Sequence, residues 1–198
     1  EGLVWAGNEA GEVHCWKDED GREVWSAVEP VRWRGPLILE DDILIAASQE
    51  GRLTAFRARE GSVLWRADAA DTLLVGGLCH ERKGILIAAD RSGRVGRLEI
   101  TTGAWKGEWK AGEPAAGFGL VSQTITAWSG RKGRIVLLRL PDLTPMREIR
   151  LDVALRDGLI VAPESAAEWQ TGESLTVARR TLVLVADDEG FLYAIPMP

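Results

Sequence analysis

Apolar residues in this chain come in short runs with a period of two, separated by turns rich in Gly and Asp. Ile43–Ala47 and Ile85–Ala89 are β-rich and bounded by polar, Gly-containing turns, so each is predicted as a strand. Arg52–Arg57 alternates apolar and polar residues, as a half-buried strand does. Asp90-Arg-Ser-Gly93 and Asp187-Asp-Glu-Gly190 read as hairpin turns in which Gly supplies the positive φ. Gly61-Ser-Val-Leu-Trp65 opens a further strand beyond a second turn, and Leu37-Ile-Leu39 and Leu73-Leu-Val75 add a strand ahead of each group. No stretch of about 12 residues holds a helical apolar stripe. Glu164–Gln170 is the one place where a single helical turn fits. The pattern predicts an all-β protein.

The groups repeat. Gly11, Gly21 and Trp25 recur 40 residues on as Gly51, Gly61 and Trp65. A third unit carries Gly93 and Gly103, a step of 42; a fourth carries Gly133, a step of 40; a fifth carries Gly190 and Tyr193 after a step of 57. The long last step places an insertion within 151–181. Four strands per unit of about 40 residues is the arrangement of a β-propeller blade. The expected fold is a single propeller domain over residues 1–198, built from four-stranded antiparallel blades.

Leu53-Thr-Ala55-Phe-Arg57-Ala58-Arg-Glu60-Gly61-Ser-Val-Leu-Trp65 resembles the quinoprotein-type (PQQ-like, WD-repeat-like) propeller repeat, whose motif is Leu-Tyr-Ala-Leu-Asp-Ala-x-Thr-Gly-x-x-x-Trp. The match lies at the Leu, both Ala, the Gly and the Trp, while Arg57 stands at the motif Asp and Glu60 at the Thr. The first unit keeps Gly21 and Trp25, with Cys15 at the small Ala position. The third keeps Thr102 and Gly103 but has Gly107 at the Trp position, flanked by Trp105 and Trp109. The fourth is degenerate, and the last, Leu192-Tyr193-Ala194, stops before its Gly and Trp. The resemblance implies that Trp25 and Trp65 are structural residues that dock neighbouring blades and hydrogen-bond through the indole N–H. A buried Trp needs a partner for that one polar group in any case.

Five units imply five blades, with awkward ends. The first begins in its second strand and the last stops after its third. Irregular closure, a strand supplied by the insertion and membership of a larger ring all fit. Glu1-Gly-Leu, with no Met and no apolar leader, reads as a domain excised from a longer protein and fused to something before Glu1.

Composition removes several function classes. With 24 Lys plus Arg against 30 Asp plus Glu, the net charge of −6 disfavours general nucleic-acid binding. No apolar run reaches the roughly 18 residues of a membrane span. Nine Trp against three Phe is an unusual surplus. His14-Cys15 and Cys79-His80 carry the zinc-type ligands, but neighbours on a strand point to opposite faces, so no metal site is expected. Asp18-Glu-Asp20-Gly21 and Asp187–Gly190 lack the remaining ligands of a calcium loop and read as acidic turns. Arg131-Lys132-Gly133-Arg134 beside Trp128 reads as an exposed hairpin. No nucleophile–base arrangement is visible, no cofactor is expected, and Glu40, Asp41 and Asp42 cluster in one blade only, which disfavours a glycosidase centre.

The expected function is a non-catalytic protein–protein scaffold with an unidentified protein partner. Its binding face would be the turns between second and third strands: Glu9, Gln49, Glu50, Asp90, Arg91, Arg131, Lys132, Asp187 and Asp188. The alternatives are a glycoside-acting enzyme, and carbohydrate or small-ligand binding with exposed Trp5, Trp16, Trp33 or Trp169 stacking on rings. Two unpaired cysteines favour the cytoplasm, whereas the resemblance implies a bacterial periplasmic setting.

Overall fold

The computed structural model describes every residue except 1, 70, 72, 83, 163–166, 172–173, 179–180 and 197–198; for 36, 73–82, 157, 162, 167–171 and 174–178 it describes the backbone only. All elements among the described residues are strands. β1 (Leu3–Gly7), β2 (Glu12–Lys17) and β3 (Glu23–Val28) form a first, three-stranded sheet. β4 (Trp33–Glu40), β5 (Ile43–Ser48), β6 (Arg52–Arg57) and β7 (Val63–Asp68) form a second. β8 (Leu73–Arg82), β9 (Ile85–Asp90), β10 (Arg94–Glu99) and β11 (Trp105–Lys110) form a third. β12 (Ala115–Ser122), β13 (Ile125–Gly130), β14 (Arg134–Arg139) and β15 (Thr144–Arg150) form a fourth. In the fifth, β16 (Leu155–Ala162) pairs with β19 (Leu182–Asp187), which pairs with β20 (Leu192–Pro196). Between β16 and β19 lies a separate hairpin, β17 (Ala167–Thr171) with β18 (Ser174–Ala178).

That hairpin corrects the expected helical turn over 164–170: Ala167–Thr171 is a strand, and 163–166 lie outside the described residues. Of the stretch 151–181, Leu155–Ala162 is the innermost strand of the fifth sheet, so the extra material is the hairpin that follows it. The first sheet begins with the counterpart of β5 and the fifth ends with the counterpart of β6. The chain divides into two compact units, Glu1–Ala115 and Ala116–Pro198.

Sheets stack through apolar faces. Val13, Cys15 and Trp25 of the first pack with Trp33, Leu44, Ala46, Phe56 and Ala58 of the second. Ile45, Ala47, Leu53 and Ala55 of the second pack with Leu86, Ala88, Leu98 and Ile100 of the third. In the second unit Ala127, Ile135 and Leu137 of the fourth sheet meet Leu155, Val183 and Val185 of the fifth. The second strands of the middle sheets bury both faces, so they read as largely apolar runs rather than clean alternations.

The recurrence of Gly with Trp has a steric cause. Trp25 donates its indole N–H to the Ala58 carbonyl at 2.9 Å, and its ring lies over Gly61, where a Cβ would come within 2.5 Å of the ring. Trp65 repeats this on the next sheet, donating to the Ile100 carbonyl at 2.7 Å and lying over Gly103, again with only 2.5 Å available to a Cβ. Gly103 also sits at φ 70, a conformation that disfavours any side chain. Across their own sheets the two Trp stand opposite small residues, Cys15 and Ala55. The third sheet has Arg97 opposite Gly107, and the fourth has Leu137 opposite Arg147. There the Trp is absent, and the fourth sheet has Leu143, at φ 57, where the second and third have Gly61 and Gly103. Trp105 takes a different place in the third sheet: it covers Gly96, with the Arg94 guanidinium 4.2 Å above its ring.

Trp25→Ala or Trp65→Ala should cost about 3–5 kcal/mol of stability. Gly103→Ala should also destabilise, because it clashes with the Trp65 ring and strains the backbone. Thermal unfolding checks both; a Trp65→Ala variant that melts with the parent would refute the docking role.

Candidate partner-binding face

The turns between second and third strands share one construction. In four of them the first residue caps the turn with its side chain. Asn8 Oδ1 accepts from the Ala10 and Glu12 N–H groups at 2.9 and 3.0 Å. Ser48 Oγ accepts from Arg52 N–H at 3.1 Å. Asp90 Oδ1 accepts from Ser92 and Arg94 N–H at 3.1 and 3.2 Å. Asp187 Oδ1 accepts from Glu189 and Phe191 N–H at 3.0 and 2.8 Å. Such short polar side chains bond their own backbone readily. The remaining turn, in the fourth sheet, begins with Gly130 and has no such cap. In the first four sheets the turn glycine's carbonyl also accepts from the end of the outer strand: Glu29 N–H to Gly11, Ala69 to Gly51, Ala111 to Gly93 and Leu151 to Gly133, all at 2.8–2.9 Å. A cap and a staple leave the two central residues as the part that faces outward.

The expected binding residues separate along this line. Glu9, Glu50, Arg91, Arg131, Lys132 and Asp188 are exposed, and Gln49 is half-buried. Asp90 and Asp187 correct the expectation: they are only 2% and 3% exposed, because their carboxylates are the caps. Glu9 is committed locally to Arg34 at 2.8 Å, and Glu50 accepts from the Arg32 N–H at 3.3 Å. Burial pushes the Glu50 carboxyl up, but its hydrogen bonds outweigh this and hold it below the ordinary range. The main chains of Arg91 and Arg131 are fixed by their carbonyls, which accept from Ala115 and Leu155 N–H at 3.0 and 2.9 Å.

In the second unit this face opens into a cleft of about 470 Å³ lined by Arg131, Ala154, Leu155, Arg156 and Asp188. Arg156 lies 3.9 Å from Asp188, so the cleft carries two guanidiniums and one carboxylate. Arg134 leaves the basic run: its guanidinium lies 5.9 Å from the Trp128 ring centroid and pairs with Glu148 at 3.0 Å. The sequence did not single out Arg32, Arg34 or Arg156, because they lie on connectors and innermost strands outside the repeated anchors.

The first unit has a second cleft at the other end of its strands, about 280 Å³, lined by Leu3, Trp5, Leu39, Asp41, Asp42, Ala58 and Arg59. Trp5 is half-buried there and donates its N–H to the same Ala58 carbonyl that holds Trp25, at 3.0 Å. Asp42 lies 3.8 Å from both Arg57 and Arg59, and Glu40 accepts from the Gly84 N–H at 2.7 Å.

The exposed-Trp expectation needs correction at Trp33, which is buried edge-on against Phe56 with centroids 6.2 Å apart. Trp16 is half-exposed and stacks on His14 at 5.2 Å. The Trp169 side chain lies outside the described residues. His14 bonds Glu23 at 2.8 Å, which holds its pKa above the ordinary value, while Cys15 is buried on the other face of the sheet. The side chains of Cys79 and His80 lie outside the described residues. Among the described residues no group of three or more His, Cys, Asp or Glu is placed to hold a metal ion. No helix among them is long and apolar enough to cross a membrane.

The Asp187 cap gives a pH dependence of known sign. Burial pushes its carboxyl up, but hydrogen bonds from Phe191 N–H, Tyr193 Oη and Glu189 N–H more than compensate and hold it below the ordinary aspartate range. Its contribution is therefore full above about pH 3.9, the unfolded-state value, and is lost as the pH falls through its own lower value. The melting temperature of Asp187→Asn should lie below the parent at pH 7, and the gap should narrow at pH 3. A gap that stays constant across that range would exclude the ionised cap.

A family model described as outer membrane protein assembly factor BamB matches residues 1–115. No curated protein matches the chain. Among solved structures, the computationally designed Ika8 protein aligns at a TM-score of 0.75 and 14% identity, over 100% of this chain and 56% of its own. BamB from Moraxella catarrhalis aligns at 0.64 and 18% identity, over 98% of this chain and 58% of its own. Sqt1 from Saccharomyces cerevisiae aligns at 0.75 and 11% identity, over 99% and 56%. The chain thus spans little more than half the length of these three proteins. At such identities the likeness carries the fold alone: an all-β propeller with four-stranded antiparallel blades. With the family match covering more than half of its length, the chain belongs to the family described as outer membrane protein assembly factor BamB.

Proposed function

We propose that the chain is a non-catalytic scaffold that docks a protein partner on the face formed by its second-to-third-strand turns. Propellers of this type commonly mediate protein interactions, and the family's description as an assembly factor is in keeping with a docking role. One observation carries the reading. The turns are fixed by caps and by main-chain bonds to the outer strands, while the residues at their tips are exposed and chemically varied. A rigid frame with interchangeable tips lowers the ordering cost of binding. The cleft of Arg131, Arg156 and Asp188 lies on that face and is the expected centre of contact.

A second reading, binding of a carbohydrate or other small ligand, draws on the first unit's cleft, where the half-buried Trp5 ring lies beside Asp41, Asp42 and Arg59. Polar groups around an aromatic wall suit a sugar ring. Glycan-array binding that is lost in Asp42→Ala would favour it over the scaffold.

For the scaffold, the variant to compare with the parent is Arg131→Ala/Lys132→Ala/Asp188→Ala, with Asp90 and Asp187 kept so that the turns survive. Affinity capture from the native extract followed by mass spectrometry should lose the partner at an unchanged melting temperature. Equal recovery by parent and variant would remove this face from consideration.

A further inference from the structure

The seam between the fourth and fifth sheets uses the same main-chain positions as the seam between the first and second. In the first seam the Gln49 N–H donates to the Arg32 carbonyl at 2.8 Å; in the other the Asp188 N–H donates to the Ala154 carbonyl at 3.3 Å. Trp33 pairs with Ser48, the last residue of β5, and Leu155 pairs with Asp187, the last of β19. Glu9, Arg32, Trp33, Arg34 and Gln49 therefore correspond in turn to Arg131, Ala154, Leu155, Arg156 and Asp188. The second group also lines the cleft of about 470 Å³.

Two exchanges at these positions shape the cleft. Ala154 and Leu155 stand in for Arg32 and Trp33, so less side chain fills the space. Arg131 stands in for Glu9, so one charge reverses its sign. Across the first seam Glu9 and Arg34 form an ion pair at 2.8 Å. Across the other the same two positions carry guanidiniums, Arg131 from the fourth sheet and Arg156 from the fifth, both exposed. Asp188, the carboxylate of the lining, lies 3.9 Å from Arg156, with the two side chains 64% and 66% exposed. A pair so long and so open is weak, and Arg156 can exchange it for a better acceptor. Guanidiniums favour carboxylates, which they bind through two parallel N–H donors. The main chain beneath is already fixed, because the Arg131 carbonyl accepts from the Leu155 N–H at 2.9 Å, so the cleft has little ordering left to lose on binding. The seam is internal to the second unit: its sheets pack through Ala127, Ile135 and Leu137 against Leu155, Val183 and Val185. We propose that this cleft is a subsite for a carboxylate side chain, Asp or Glu, in an acidic segment of the docked protein, held between the Arg131 and Arg156 guanidiniums. Charge complementarity fixes the occupant, which supplies here the negative charge that Glu9 supplies in the first seam. The identity of the occupant as part of a protein rests on the docking role of this face.

Chemical-shift titration of the isotope-labelled chain, read at the arginine Nε–H signals, tests this. The probe is the peptide acetyl-Gly-Ser-Glu-Ser-Gly-amide. Its controls are the same peptide with Gln for Glu, and that Gln peptide with a free C-terminal carboxylate. The Glu peptide should shift the Arg131 and Arg156 signals, and neither control should. Added salt should weaken its binding. Arg131→Glu restores the ion pair of the first seam and should abolish the shifts while the chain melts as the parent does. Asp188→Asn removes the competing acid and should bind the Glu peptide several-fold more tightly, a gain that no loss of folding produces. Equal responses to the Glu and Gln peptides, full binding by Arg131→Glu, or no gain in Asp188→Asn would overturn the proposal. So would a response to the free C-terminus alone, which would assign the cleft to chain ends rather than side chains. The titration needs no partner. If the alanine variant of the turn face loses its partner while the Glu and Gln peptides behave alike, the docking face stands and the carboxylate subsite falls.

Discussion

The fold rests on one polar requirement met inside an apolar contact. A Trp between two sheets supplies the bulk that a wedge-shaped gap needs, but it brings an N–H that cannot stay unpaired. Trp25 and Trp65 both solve this by donating to a main-chain carbonyl of the next sheet, Ala58 and Ile100. That bond fixes where the ring lies, and the ring then dictates the residues around it. The position beneath must be Gly, and the position opposite on its own sheet must be small. Four positions on two sheets are thereby linked by one side chain.

The link also works in reverse. Where the cross-strand residue is large, as at Arg97 and Leu137, the Trp is gone, and the fourth sheet has Leu143, despite its positive φ, at the repeat position that holds Gly61 and Gly103. The β-bulge between the third and fourth strands persists in all four sheets that have this pair. Strand pairing is thus more uniform than side-chain packing. Backbone geometry repeats because the turns and bulges enforce it, while the filling between sheets is solved twice with Trp and otherwise case by case.

This difference decides what was legible in the sequence. The strands, the hairpin turns and the repeat step were readable, because they follow from period-two alternation and from Gly at positive-φ positions. So were Trp25 and Trp65 as members of a motif. The seat of Trp33 was not readable: its burial depends on Phe56, which is remote in sequence and carries no periodic signal. Asp90 and Asp187 look like surface carboxylates in a one-dimensional reading, because a turn that turns its own cap inward has the same composition as one that points it outward. The hairpin at Ala167–Thr171 and Ser174–Ala178 lies outside the repeat and had no anchor to align. Arg156, which completes the cleft with Arg131 and Asp188, sits on an innermost strand where the repeat has no fixed residue type.

The inward caps have a consequence for how the molecule can change over generations. At each capped turn the residues that hold the loop and the residues that face outward are different residues. A substitution at Arg91 or Asp188 alters the chemistry of the tip without touching the hydrogen bonds made by Asp90 or Asp187. New specificities can therefore accumulate at the tips one substitution at a time, each nearly neutral for folding. The uncapped turn at Gly130 is held through the main chain instead, by the Leu151 N–H on the Gly133 carbonyl and the Leu155 N–H on the Arg131 carbonyl, bonds that a change of side chain at Arg131 or Lys132 leaves in place.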